Sequence, residues 1–304
     1  MQHVASWDWE FEGAAGEYAA RSVGYSSRTL VGRSVGAVHT DVGLRRLSPG
    51  GRVDGHVHSY ESCAYVLDGR PIVEVSGRSL QLGTGDYVLF PVGVDHGWRN
   101  DEGEESRWLE VATPLPGASG EGPGGADTFF LPGGGHSGAA LVPDLADPTT
   151  ALVGRYAGTP PQHEALAVAD RARGRRPAGM DTAILAYSGI SVKMMVDATL
   201  GADLLTMFMV DYEPGGAAQV HDHPFEEVYF FLEGEIEGEI DGEVRTYRAG
   251  EVLFCGVGVV HGFFNTGTDR VRWIETQAPQ PPRRHSYRWP AHWGRLAEKL
   301  SRPS

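Results

Sequence analysis

The chain has 304 residues, enough for two ordinary domains that each bury a core. Its 26 basic and 40 acidic side chains give a net charge of -14, which repels phosphate backbones and anionic lipid, so neither nucleic acid nor a membrane surface is an expected partner. Only Cys63 and Cys255 are present, so no disulfide framework or thiolate metal site is expected, and any metal falls to nitrogen and oxygen ligands.

The N-terminal stretch MQHVASWDWEFEG has no basic segment followed by an apolar run. Nowhere does the sequence approach the roughly 18 consecutive apolar residues of a spanning helix. A soluble, cytoplasmic protein is the expectation, with a small molecule as its partner and association into a homo-oligomer left open.

Further along, PGGRVDGHVH begins at Pro49 and PGGAAQVHDH at Pro214, an offset of 165. The same offset carries Gly69 onto Gly234, Gly85 onto Gly250, His96 onto His261, Asn100 onto Asn265, Trp108 onto Trp273 and Glu110 onto Glu275, without a gap. The chain is a duplicated unit. In each copy, short alternating runs are separated by Gly-rich turns: PIVEV, SLQL and YVLF in the first, and VYFFL, EIEGEI and EVLFC in the second. That pattern reads as antiparallel strands, and small all-β barrels follow.

Residues 1–115 form the first domain and 181–304 the second, with a short C-terminal extension. Residues 116–180 are a Pro/Gly-rich linker with one expected helix near His163 to Arg173, and parts of it are expected to pack on the barrels. The basic cluster at 171–176 reads as a solvated loop, and WPAHWGRLAEKL as a short capping helix.

Histidines spaced i, i+2 on a strand share a face, so His221 and His223 converge on one side. Glu227 lies four residues on, and His261 enters the strand after Gly258. If the sheet closes with that face inside, three imidazoles and a carboxylate surround one point. Such a set suits Fe(II), Mn(II), Ni, Cu or Zn.

These residues resemble the cupin superfamily, whose two motifs are G-x5-H-x-H-x3,4-E-x6-G and G-x5-P-x-G-x2-H-x3-N. The second copy matches through Gly215, His221, His223, Glu227, Gly234, Gly250, Gly258, His261 and Asn265, with Gly256 in the usual proline place. The first copy matches through Gly50, His56, His58, Gly69, Gly85, Pro91, Gly93, His96 and Asn100, but Ser62 takes the glutamate place. Glu61 is adjacent, and alternation turns it outward.

The resemblance implies two tandem jelly-roll barrels, a bicupin, with one divalent metal in the C-terminal barrel, Fe(II) or Mn(II) being favoured. His56, His58 and His96 are a candidate second metal site. Parity from the ligands turns Tyr229, Phe231, Val259 and Phe263 inward. The strand LLTMFMVDY adds either Leu205, Met207 and Met209 or Thr206, Phe208 and Val210, and Met207 and Met209 are taken as pocket residues. Asp222 and Glu226 alternate away and read as a solvated acidic rim.

Three activities are compatible with this reading. The first is a non-haem Fe(II) dioxygenase for a small, largely apolar enol, phenol or diketone-like metabolite, in which Glu227 ligates or accepts the substrate's proton and Tyr229 donates one or packs the wall. The second is a redox-neutral, Mn-dependent hydrolase, decarboxylase or isomerase, in a layout similar to that of the ureidoglycine aminohydrolases. The third is a non-enzymatic, ligand-binding bicupin.

Overall fold

The computed structural model describes residues 1–8, 10–117, 127–133, 138–145, 152–156 and 187–280. The helix expected near 163–173, the cluster at 171–176, the C-terminal helix, and His136, His163, His285 and His292 lie outside them.

The alternating runs form strands throughout. Strands β1 (Gln2–Ser6) and β2 (Glu12–Gly13) and the short helix α1 (Glu17–Arg21) come first. The first barrel follows with β3 (Ser22–Val31), β4 (Asp41–His58), β5 (Glu61–Asp68), β6 (Ile72–Val75), β7 (Arg78–Gln81), β8 (Asp86–Phe90), β9 (His96–Arg99) and β10 (Ser106–Thr113). The connecting segment contributes β11 (Thr128–Phe130) and β12 (Val153–Arg155). The second barrel holds β13 (Tyr187–Val196), β14 (Thr206–His221), β15 (Glu226–Glu233), β16 (Glu235–Ile240), β17 (Glu243–Arg248), β18 (Glu251–Cys255), β19 (His261–Phe264) and β20 (Val271–Ala278).

The two sheets run β12-β8-β5-β10-β4-β9-β6-β7 and β1-β18-β15-β20-β14-β19-β16-β17. They correspond strand for strand, so the fold is all-β, with two tandem jelly-roll barrels. Gly69 and Gly234 occupy equivalent turns with φ of 80° and 76°. A Cβ there would lie 2.5 Å from the Glu105 carbonyl oxygen and 2.6 Å from that of Arg270, which only glycine avoids.

The outermost strand of each order comes from outside the repeated unit. β1 was placed in the first domain by its position in the chain, yet it pairs with β18 of the second barrel, Val4 opposite Leu253. Linker strand β12 in turn pairs with β8 of the first, Val153 opposite Val88. Trp7, just past β1, stacks on Phe230 at 4.5 Å and donates its indole N–H to the Phe231 carbonyl at 3.2 Å.

Three apolar clusters result from strands that bury both faces. One fills the first barrel around Val66, Trp98 and Trp108. Another fills the second around Phe231, Phe263 and Trp273. A third lies between the barrels, joining Leu44, Cys63 and Leu109 to Leu205, Met207 and Met209.

The inter-barrel seam also carries two buried carboxylates at equivalent positions. Glu61 accepts the backbone N–H groups of Asp203, Leu204 and Leu205 at 2.9–3.0 Å. Glu226 accepts those of Val38, His39 and Thr40 at 2.7–3.0 Å. The acidic rim expected at Asp222 and Glu226 is therefore not solvated: each is only 2% exposed. Alternation does turn Glu226 out of its barrel, but outward there means into the other barrel.

Candidate metal centres

In each barrel the long strand that carries the first histidine of the H-x-H pair lies against the short strand opened by the third histidine. His221 stands directly opposite His261, and His56 opposite His96. Register shifts just before His221 and His56 reset both strands at this point. The outcome is two buried groups, His221, His223 and His261 in one and His56, His58 and His96 in the other, with their ligand atoms within 4.8 Å of one another.

Ring orientation is set by the backbone. Nδ1 of His221 donates to the Gln219 carbonyl at 2.7 Å, that of His223 to Phe225 at 3.0 Å and that of His261 to Val259 at 2.9 Å. A carbonyl can only accept, so each Nδ1 carries the proton and each Nε2 of a neutral ring offers a lone pair to the centre. In the first barrel, His56 and His96 donate likewise to Asp54 at 2.8 Å and Val94 at 3.0 Å, while His58 Nδ1 lies 2.9 Å from the Thr128 hydroxyl.

Glu227 completes the second group. One of its oxygens lies 2.7 Å from His223 Nε2 and 3.2 Å from His261 Nε2. That same oxygen accepts the Tyr229 hydroxyl, which also lies 2.9 Å from His261 Nε2, and the other accepts the Gln277 amide at 2.7 Å. Lone pairs on two imidazoles cannot rest against a carboxylate oxygen unless positive charge sits between them. A proton or a divalent cation meets that need, and the donor set of three imidazoles and one carboxylate fits a divalent metal ion.

Electrostatics point the same way. Burial pushes His221 down to about 3, helped by the adjacent His261. Burial likewise pushes His58 down to about 2 and lowers His56 and His96. The neutral imidazoles that metal binding requires are thus the favoured forms. His223 departs from this: burial pulls it down, but the Glu227 carboxylate outweighs burial and raises it. Glu227 is in turn held well below the usual carboxylate range, burial being overcome by His223 and His261.

A pH dependence follows for the metal-free chain. Between the ordinary 6.5 and the folded values of His58, His221, His56 and His96, the unfolded chain binds protons that the folded chain does not. These four histidines therefore contribute stability that is full above pH 6.5 and is lost as pH drops through that window, while His223 and the raised carboxyls of Asp41 and Glu275 oppose the trend. Thermal melts of chelator-treated protein should show a midpoint that declines steadily from pH 7 to pH 4, and a flat profile would contradict the assignment.

The structure brings Tyr229, Phe231, Val259 and Phe263 to the second barrel's interior, as parity required. Met207 and Met209 are a correction. They point into the seam between the barrels, with Cys63 Sγ 3.8 Å from Met207 Sδ, and the alternative set containing Phe208 and Val210 faces the interior. Both faces of β14 are apolar because both are buried, so polarity could not choose between them. Sequence reasoning also missed Gln277, which reaches Glu227 because β20 lies beside β15 with these two residues in register. It missed Thr128 on β11, and Tyr18 on α1, whose ring packs edge-on to His56 at 5.6 Å.

A family model described as "Cupin domain" matches residues 43–112 and again 208–276, one match in each barrel. The chain is a bicupin. The bicupin is 34% identical over 97 residues to a protein named polyketide synthase CurC from Streptomyces cyaneus, spanning 31% of this chain and 63% of that one's length. Among solved structures, it is similar to salicylate 1,2-dioxygenase from Pseudoaminobacter salicylatoxidans, with a TM-score of 0.65, 16% identity, and coverage of 91% of this chain and 81% of that one. It is also similar to oxalate decarboxylase from Bacillus subtilis, with a TM-score of 0.58, 19% identity, and coverage of 91% and 76%. At such identities these two establish the shared bicupin fold. Among the described residues, no helix of the bicupin is long and apolar enough to cross a membrane.

Proposed function

We propose that this bicupin is a metal-dependent enzyme, a non-haem Fe(II) dioxygenase acting on a small, largely apolar enol, phenol or diketone-like compound. The observation that carries the reading is the convergence of buried imidazoles, their Nδ1 protons engaged by the protein and their Nε2 atoms turned to one point, inside a barrel walled with aromatic rings. Iron(II) bound there supplies redox chemistry with dioxygen and polarises a substrate oxygen. The protein's share is to hold the imidazoles in one tautomer, exclude water with Phe231, Phe263 and Trp273, and orient a planar substrate. Glu227 and Tyr229 share a proton-transfer path: the phenol hydroxyl donates to the carboxylate and touches His261. That hydrogen-bonded acid and base also favours a second reading, redox-neutral hydrolysis, decarboxylation or isomerisation with Mn(II).

Oxygen uptake separates the two. Full-length protein loaded with iron under nitrogen should consume oxygen when a catechol, an enol or a β-diketone is added, and manganese-loaded protein should not. If iron-loaded protein consumes none with any of the three classes, the dioxygenase reading fails.

A further inference from the structure

Gln277 stands on β20 between two neighbours in register, Thr206 of β14 on one side and Glu227 of β15 on the other. All three side chains are buried. The Thr206 hydroxyl donates to the Gln277 side-chain oxygen at 3.3 Å, and the Gln277 amide donates to Glu227 Oε1 at 2.7 Å. Only this orientation of the amide serves, because an ionised carboxylate accepts hydrogen bonds and cannot donate them.

The two oxygens of Glu227 thereby serve different neighbours. Oε2 lies 2.7 Å from His223 Nε2 and 3.2 Å from His261 Nε2 and accepts the Tyr229 hydroxyl. Oε1 accepts the amide instead. In the first barrel the equivalent row, in the same register, is Asp41, Ala112 and Ser62. The amide and its threonine brace are thus present in the barrel that has a glutamate to hold and absent from the one that has none. Glu275, two residues before Gln277 on β20, also interacts with Glu227 and Gln277. Its counterpart in the first barrel is Glu110, so it does not follow the glutamate.

We infer that Gln277, braced by Thr206, is a positioning residue that restricts Glu227 to one ligating oxygen, Oε2, on an ion held by the second histidine group. The inference rests on the metal-enzyme reading above. A carboxylate that chelates through both oxygens must turn Oε1 toward the ion, which breaks the hydrogen bond from a buried amide. Holding Oε1 therefore keeps Glu227 from filling a second coordination position. That position stays free for a substrate oxygen or for dioxygen. Leucine in place of Gln277 keeps much of its bulk and has no side-chain N–H, so it separates packing from positioning.

The test is the infrared difference spectrum of full-length protein under nitrogen, iron(II)-bound minus metal-free, with iron content measured on the same samples. A carboxylate bound through one oxygen splits its antisymmetric and symmetric stretches widely, and one that chelates splits them narrowly. Wild type should show a widely split pair of bands that Glu227→Ala removes. Gln277→Leu should keep its iron and shift the pair to the narrow splitting. Thr206→Val should show a narrowly split fraction that wild type lacks, whereas Thr206→Ser, which keeps the hydroxyl, should match wild type. A role in packing alone would lower the melting temperature of Gln277→Leu and leave the splitting wide. Thr206→Val carries the test if Gln277→Leu fails to fold by circular dichroism. The inference is overturned if wild type already shows the narrow pair, or if the folded variant that carries the test keeps the wide pair or loses its iron. It is also overturned if wild type binds iron and Glu227→Ala changes no carboxylate band. Wild type that binds no iron refutes the Fe(II) reading itself and this inference with it. A chain whose bands behave as expected but that consumes no oxygen refutes the dioxygenase reading alone.

Discussion

Replacing Glu226 with alanine is expected to lower stability by about 3 kcal/mol or more, because three backbone N–H groups at the inter-barrel seam lose their acceptor at once. Val38, His39 and Thr40 all donate to this one carboxylate, which is 2% exposed. Water has little access there, so the donors would stay unsatisfied or the seam would have to open. Glutamine at the same place keeps one acceptor oxygen and the packing, and should lose less. Glu61 plays the equivalent part toward Asp203, Leu204 and Leu205, so Glu61→Ala should cost a similar amount. Urea unfolding of the two alanine variants checks this directly. A loss under about 0.5 kcal/mol, the range of ordinary surface changes, would mean that the seam does not depend on these carboxylates.

Removing residues 1–8 is the second large change. It strips β1 from β18, leaving the hydrogen-bonding edge of Val252 to Cys255 open, and takes away the Trp7 ring that covers Phe230. An open, apolar edge is a template for pairing with another chain. The shortened protein should lose roughly 3 kcal/mol and elute in size-exclusion chromatography as larger species. An unchanged melting point and elution volume would show that the arm is ornamental to the second barrel.

Much of this architecture was legible in the sequence because it depends on local period and on repetition. Histidines two apart on a strand must share a face, and an ungapped repeat must give two like barrels. The same alternation placed Tyr229, Phe231 and Phe263 correctly, since one residue on each strand was already fixed as a ligand. What failed was what depends on the partner surface. Met207 and Met209 look like pocket residues until a second barrel covers their face. Glu226 looks like a solvated acid until the backbone of residues 38–40 is found against it. Gln277, Thr128 and Tyr18 act through strand neighbours or segments far away in sequence, and no spacing rule connects them to the histidines they serve. The crossing of β1 to the second barrel was hidden for the same reason, whereas the packing of part of the linker, here β12, on a barrel was expected.

Everything proposed for function depends on the two histidine groups holding metal. Metal content of the purified full-length chain, measured by plasma mass spectrometry after iron or manganese loading and desalting, addresses it most directly. Two divalent ions per chain are expected, one of them lost on His221→Ala and the other on His56→Ala. A chain that retains no ion, or that keeps both when His221 and His56 are replaced together, would contradict it.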